Sequence, residues 1–240
     1  MPVSPSKAMI LAAGLGLRMR PLTETMPKPL VSVAGQPLLD HVLDKLEESG
    51  VADAVINVHY LPDQIIRHTA GRVSPRVTIS DERDQVLGTG GGVVKALPLL
   101  GDAPFYHLNA DTLWIDGARS NLLRMAEAFD PDQMDILLLM APTASSIGYT
   151  GIGDYAMLPN GALRRRKENQ VVPFVYAGVA IISPAVFAGA PEGEFALTKI
   201  FDEANAQERL FGLRMDGTWM HVGTPDAVLA ADEAFRTSVA

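Results

Sequence analysis

Short apolar runs separated by turn residues fill the first half of the chain, and their spacing alternates between strand and helix. Residues 8–13 (AMILAA) form a continuous apolar run of strand length and predict a buried strand. From 36 to 49 the positions Leu38, Leu39, Val42, Leu43 and Leu46 recur on one helical face, and Gly50 stands where a C-terminal cap belongs. A strand over 54–58, a short helix over 62–69 and a strand over 77–80 follow, giving a βαβα order. The glycine cluster LGTGGG opens a helical segment reaching Leu100, and PFYHLNAD reads as a strand that ends in polar residues. Asp111 therefore falls at the carboxyl end of a strand, the edge of an open parallel sheet where ligands bind. The Gly14 turn, the Gly88 loop and Asp111 are expected to converge there.

The second half is less regular. Strands are expected over 134–140, 176–182 and 210–215, and a closing helix is capped by Thr224 with Pro225 at its first position. The pattern predicts one α/β domain over residues 1–240, with a mostly parallel mixed central sheet flanked by helices.

Composition narrows the function classes. Apolar residues make up 48% of the 240 and charged residues 20%, the balance of a folded protein. No apolar run reaches transmembrane length, and residues 1–7 lack the apolar core of a signal peptide, so a cytoplasmic protein with no membrane partner is expected. The absence of cysteine removes disulfides, thiolate zinc sites and cysteine nucleophiles. A formal net charge of −8 argues against nucleic acid as a partner while leaving room for a local cationic pocket.

Such a pocket is suggested by LAAGLGLRMRPLTETMPKPL, residues 11–30. A strand running into a glycine turn points several backbone N–H groups at one anion. A dinucleotide fingerprint would need a third glycine where Met19 stands, and Pro21, Pro27 and Pro29 prevent a long helix from following. A Walker P-loop would need Lys followed by Ser or Thr, whereas Lys28 is flanked by prolines. What remains is a phosphate cradle whose charge comes from an extended, proline-stiffened loop. The later run Arg164, Arg165, Arg166, Lys167 reads as a solvated surface.

Together AAGLGLRMRPLT, PKPL, LGTGGG, NAD and WMHVGTP, spread between Met9 and Phe235, resemble the sugar-1-phosphate nucleotidylyltransferases. The resemblance implies their Rossmann-like fold and a reaction between two partners, a nucleoside triphosphate and a sugar 1-phosphate. It implies that backbone around Ala12, Ala13, Gly14 and Gly16 holds the triphosphate, that Arg18 screens its outer phosphates, and that Lys28 holds the α-phosphate or the sugar phosphate. Thr89, Gly90 and Gly91 resemble the loop that reads the base, Asn109 joins the nucleotide set, and Asp111 is the implied ligand for Mg²⁺. Within the family the TGGG loop and short carboxyl region look most like the branch that uridylylates N-acetylmuramate 1-phosphate in cell-wall sugar recycling. Other pairs keep the same reaction: GTP with a heptose 1-phosphate, CTP with phosphocholine, or dTTP with glucose 1-phosphate.

Two departures stand out. His221 occupies the position where the family carries a second aspartate, so three readings are open: a softer metal such as Mn²⁺, a contact with phosphate, or a weakly active sensor. The family's Glu-Lys-Pro sugar element is replaced by RRRKENQ, in which Glu168 is the remaining acid. Gly151 and Gly178 are the further candidates for close approach to the sugar.

Overall fold

β1 (Lys7–Leu11) is buried on both faces in the computed structural model, which describes residues 4–238. Its alternate residues feed different cores. Ala8 and Ile10 pack with Leu39, Val42 and Leu46 on one side of the sheet, and Met9 packs with Val93 and Ala96 on the other. A two-strand hairpin, β2 (Ser32–Val33) and β3 (Gln36–Pro37), leads into α1 (Leu38–Glu48), whose five apolar residues are all buried. Gly50 follows at φ 77°, the left-handed conformation that ends a helix without a Cβ penalty. β4 (Asp53–Val58), α2 (Pro62–Thr69) and β5 (Arg76–Asp81) complete the βαβα order expected from the sequence.

α3 (Gly88–Leu100) is a helix of poor intrinsic propensity, with glycines in its first turns and Pro98 inside. Close packing holds it. A Cβ at Gly92 would lie 2.7 Å from Asn57 Nδ2 and 2.9 Å from Glu82 Oε1, so the helix starts where larger residues do not fit. β6 (Phe105–Asn109) then runs parallel to β1, with Ile10 opposite Leu108. After it come β7 (Thr112–Asp116), α4 (Asn121–Ala128), β8 (Ile136–Pro142), β9 (Tyr155–Met157), β10 (Leu163–Arg165) and β11 (Phe174–Ile182). The chain closes with α5 (Thr198–Ala206), β12 (Leu210–Arg214), β13 (Gly217–His221) and α6 (Pro225–Ser238).

The main sheet has the order β10-β9-β11-β6-β1-β4-β5, with β8 pairing β11 and β12. The β6-β1-β4-β5 run is parallel and β11 enters antiparallel, giving a mixed sheet. α1 and α4 cover one face, α3 and α5 the other. β7 and β13 leave the sheet as a separate antiparallel ribbon, which packs with Met19, Val33 and α6 in a third cluster. No helix among the described residues is long and apolar enough to cross a membrane.

The basic run needs correction at one position. Arg165 is not simply solvated: it pairs with Asp202 on α5 at 2.9 Å and lies 5.6 Å from the Tyr155 ring centroid. Thr224 does cap the last helix, its hydroxyl accepting the Ala227 N–H at 3.3 Å.

His107, on β6, is 1% exposed. Its Nδ1 shares a hydrogen bond of 3.1 Å with the Tyr176 hydroxyl, and its Nε2 has no partner among the described residues. Burial pushes the imidazole from 6.5 down to about 4. Above pH 6.5 neither folded nor unfolded chain carries this proton; below it the unfolded chain takes the proton and the folded one does not. Stability should therefore fall by about 3 kcal/mol from this residue as pH drops through that window. His107→Gln should flatten the loss, as read by urea denaturation at pH 7 and pH 4.5; equal losses in both proteins would refute the assignment.

Candidate active site

The carboxyl ends of β1, β4 and β6 open onto a cleft of about 540 Å³. The loop after β1 forms one side. Ala12 N–H donates to Asn57 Oδ1 at 2.8 Å, which anchors the start of the turn to β4. Gly16 is left-handed at φ 63°, and a Cβ there would lie 3.1 to 3.3 Å from the side chains of Thr23 and Lys28. Its carbonyl accepts the Met19 N–H at 2.9 Å and the Thr23 hydroxyl at 2.7 Å. This glycine bends the loop back so that Arg18 and Lys28 reach the same cleft.

Lys28 is 9% exposed and pairs with Asp111 Oδ2 at 2.5 Å. Asp111 sits in the tight connection between β6 and β7, just past the sheet edge. Ala12, Ala13, Gly14, Gly16 and Arg18 line the cleft with this pair, as do Thr89 and Asn109 across from them. The Thr89 hydroxyl is committed internally, accepting the Leu197 N–H at 2.8 Å.

Other expected residues lie elsewhere. Gly90 and Gly91 face away from the cleft, where the close approach that requires glycine comes from the chain itself. A Cβ at Gly90 would stand 2.2 Å from the Phe195 ring, and one at Gly91 2.2 Å from the Gly193 carbonyl oxygen. Gly151 makes room for Tyr149, whose hydroxyl would be 2.4 Å from an added Cβ. Glu168 is exposed in the turn after β10 and does not reach the cleft. Gly178, at φ 78° in the bulge of β11, backs directly onto Asn109, whose Nδ2 would be only 2.9 Å from an added Cβ.

His221 stands at the cleft's rim, at the end of β13. A Cβ on Gly223, which lines the cleft, would lie 2.8 Å from His221 Nε2 and 3.6 Å from Arg18 Nη1. Desolvation holds the imidazole below its ordinary value, and the charge of Lys28 adds to this while Asp111 opposes it. Among the described residues no group of three or more His, Cys, Asp or Glu side chains is placed to hold a metal ion.

Two polar lining residues, Asn57 and Glu82, escape a reading of the sequence. Asn57 is a polar interruption in the apolar strand DAVINV, and this is the signal that marks it. Its amide also donates to Glu82 Oε1 at 2.8 Å, and Glu82 is 2% exposed. Desolvation raises the Glu82 carboxyl, against the Asn57 hydrogen bond, which lowers it. Asn57→Leu should loosen the Ala12 turn and leave Glu82 without its partner, raising KM about tenfold or more, for the nucleotide that the sequence resemblance implies, through lost buried hydrogen bonds. Steady-state kinetics with the nucleotide varied would check it, and an unaltered KM would refute it.

The nucleotidyl transferase family model matches residues 7–154, which include β1, the arginine loop, Asp111 and the LGTGGG segment. The chain belongs to that family. This nucleotidyl transferase is 44% identical, over 95% of its length and 96% of the relative's, to an N-acetylmuramate alpha-1-phosphate uridylyltransferase of Caulobacter vibrioides. It is 35% identical, over 91% and 93%, to a protein of the same name from Neisseria meningitidis serogroup B. A solved UDP-glucose pyrophosphorylase complexed with UDP-glucose covers 97% of this chain and 98% of its own with a TM-score of 0.80, at 17% identity, a likeness of fold.

Proposed function

We propose that this protein joins UTP and N-acetylmuramate 1-phosphate, releasing pyrophosphate and forming the UDP-sugar. The near full-length 44% identity to a uridylyltransferase acting on that sugar carries the reading. The cleft supports it, because it combines a glycine turn with two cations and the Asp111 carboxylate at a parallel sheet edge.

In this reading a phosphate oxygen of the sugar 1-phosphate attacks the α-phosphorus of UTP. The new P–O bond forms as the bond to the β-phosphate oxygen breaks, and the electron pair leaves with pyrophosphate. A phosphate monoester dianion is itself nucleophilic, so no side chain has to remove a proton. The protein's task is to bring two polyanions into line and neutralise the charge on the leaving group. Backbone N–H groups of the 13–16 turn hold the triphosphate, and Arg18 meets its outer phosphates with a planar fork of donors. Lys28 supplies a point charge where the two substrates meet.

The donor set fits Mg²⁺. Asp111 is a hard carboxylate with a side chain 36% exposed, and phosphate oxygens with water complete a shell of the kind Mg²⁺ takes in nucleotide sites. When bound, the ion neutralises charge spread over the phosphates. The neutral imidazole of His221 is the softer donor beside it and suits Mn²⁺ better.

Pyrophosphate release, measured with each nucleoside triphosphate against a panel of sugar 1-phosphates in Mg²⁺ and in Mn²⁺, tests the reading. UTP with N-acetylmuramate 1-phosphate should give the highest kcat/KM. A higher value for another pair would reassign the substrates, and nucleotide binding without release from any pair would make the protein a sensor.

A further inference from the structure

The basic run 164–167 straddles the end of β10. Arg165 is held against α5 by Asp202 and Tyr155. The next residue, Arg166, lies one position past the end of β10 and makes no such pair among the described residues. Its backbone N–H donates to the Asp154 carbonyl at 3.0 Å, and the N–H of the neighbouring Gly153 donates to the Tyr149 hydroxyl at 3.0 Å. The backbone of Arg166 is thereby held in the same loop contact as Tyr149.

Tyr149 connects this place to the cleft. Its ring meets His221 edge-on, with centroids 6.3 Å apart and planes at 87°, and leans on Trp219 at 5.8 Å. His221 in turn adjoins Gly223 and Arg18 at the cleft wall. The order Arg166, Tyr149, His221 and then Lys28 with Asp111 runs from the β10 turn to the phosphate end of the site.

Arg166 is partly buried, yet no carboxylate of the described residues lies within 4.0 Å of its guanidinium. Its one side-chain hydrogen bond among them reaches the Lys167 carbonyl at 3.5 Å. A guanidinium drawn out of water without a counter-ion is unfavourable unless an anion arrives from elsewhere. The charge is felt nearby: burial raises the Tyr149 hydroxyl, and Arg166 pulls it back down.

The sugar proposed above has two anionic groups, a phosphate on C1 and the carboxylate of the lactyl ether on C3, on different sides of one ring. Lys28 accounts for the first. We propose that Arg166 receives the second, and that this contact selects N-acetylmuramate 1-phosphate over sugars without the acid; the inference rests on the function proposed above. A planar guanidinium binds a carboxylate through two parallel hydrogen bonds, and a site built for such a group discriminates strongly against an analogue that lacks it. Arg164 and Lys167 of the same run are exposed.

The test compares kcat/KM for N-acetylmuramate 1-phosphate and N-acetylglucosamine 1-phosphate, which differ by the lactyl group, in the wild type and in Arg166→Ala, Arg166→Lys and Arg166→Glu. The preference for the lactyl sugar should fall about 10- to 100-fold in Arg166→Ala, mainly through KM, as expected for a charge-assisted contact. Arg166→Lys should recover part of it and Arg166→Glu should lower it further. A preference that stays the same in Arg166→Ala and Arg166→Glu, with wild-type turnover of the lactyl sugar intact, overturns the assignment of Arg166 alone. A wild type that does not prefer the lactyl sugar overturns the proposed function as well. Thermal melting of each variant separates a change of selectivity from a loss of fold, and Arg166→Lys keeps the question open to refutation if Arg166→Ala does not fold.

Discussion

Asp111→Ala is expected to remain folded while pyrophosphate release falls by about a hundredfold or more, the scale seen when a preorganised charge is removed from an active site. The carboxylate is 36% exposed and lies outside the three hydrophobic clusters, so the fold should survive, although the buried Lys28 ammonium is left without its partner and some stability is lost. Two functions go together, however. The hard oxygen ligand proposed for Mg²⁺ disappears, and Lys28, 9% exposed, loses the group that orients its ammonium. Lys28→Ala should be similarly impaired, and the double variant should lose much less than the product of the two, because each removes the same unit. Undiminished turnover in Asp111→Ala would take this residue out of the site; a large drop in melting temperature would make its role structural.

The largest effect on stability is expected at Gly217. It opens β13 at φ 107°, and a Cβ there would lie 2.0 Å from the Ile115 carbonyl oxygen and 2.7 Å from the Gly117 N–H nitrogen. Both contacts are with backbone of the paired strand and its turn, so no side chain can swing aside. Gly217→Ala should cost about 3 kcal/mol or more, from steric overlap together with the left-handed conformation. A guanidinium denaturation midpoint close to that of the wild type would refute this. Activity should suffer as well, because the same ribbon carries Thr112 next to Asp111 and, opposite it, His221.

Elements with a strong local signal are legible in the sequence. α1 and its terminating Gly50 follow from the apolar period and one left-handed residue, and α2 and α3 have the limits that their polar boundaries suggest. α4, α5, β9 and β10 escape that reading, since each is short and stabilised by what it packs against rather than by its own pattern. The site divides the same way. The 12–16 turn, Arg18, Lys28 and Asp111 are adjacent to recognisable strands and do meet in one cleft. Gly90 and Gly91 mislead because a glycine in a sequence announces close approach without naming what approaches, here Phe195 and Gly193. Asn57 and Glu82 acquire meaning only when β4 and β5 bring them beside Ala12. Arg166 is one of four equivalent cations in the sequence, and only the fold separates it from Arg165, which ends β10 and pairs with Asp202.

The third hydrophobic cluster gives the cleft two differently supported walls. Asn57, Asn109 and the start of the Ala12 turn belong to the ladders of the main sheet, whereas Met19 of the arginine loop, the ribbon and α6 share the smaller cluster. Arg18 and His221 are thus mounted on a panel whose apolar filling includes Ala231 and Val228 of the final helix, latched to the β2–β3 turn by the Asp232 carboxylate accepting the Ala34 N–H at 2.6 Å. The site is a seam between two packing units. This makes α6 the mechanical backing of the cationic wall.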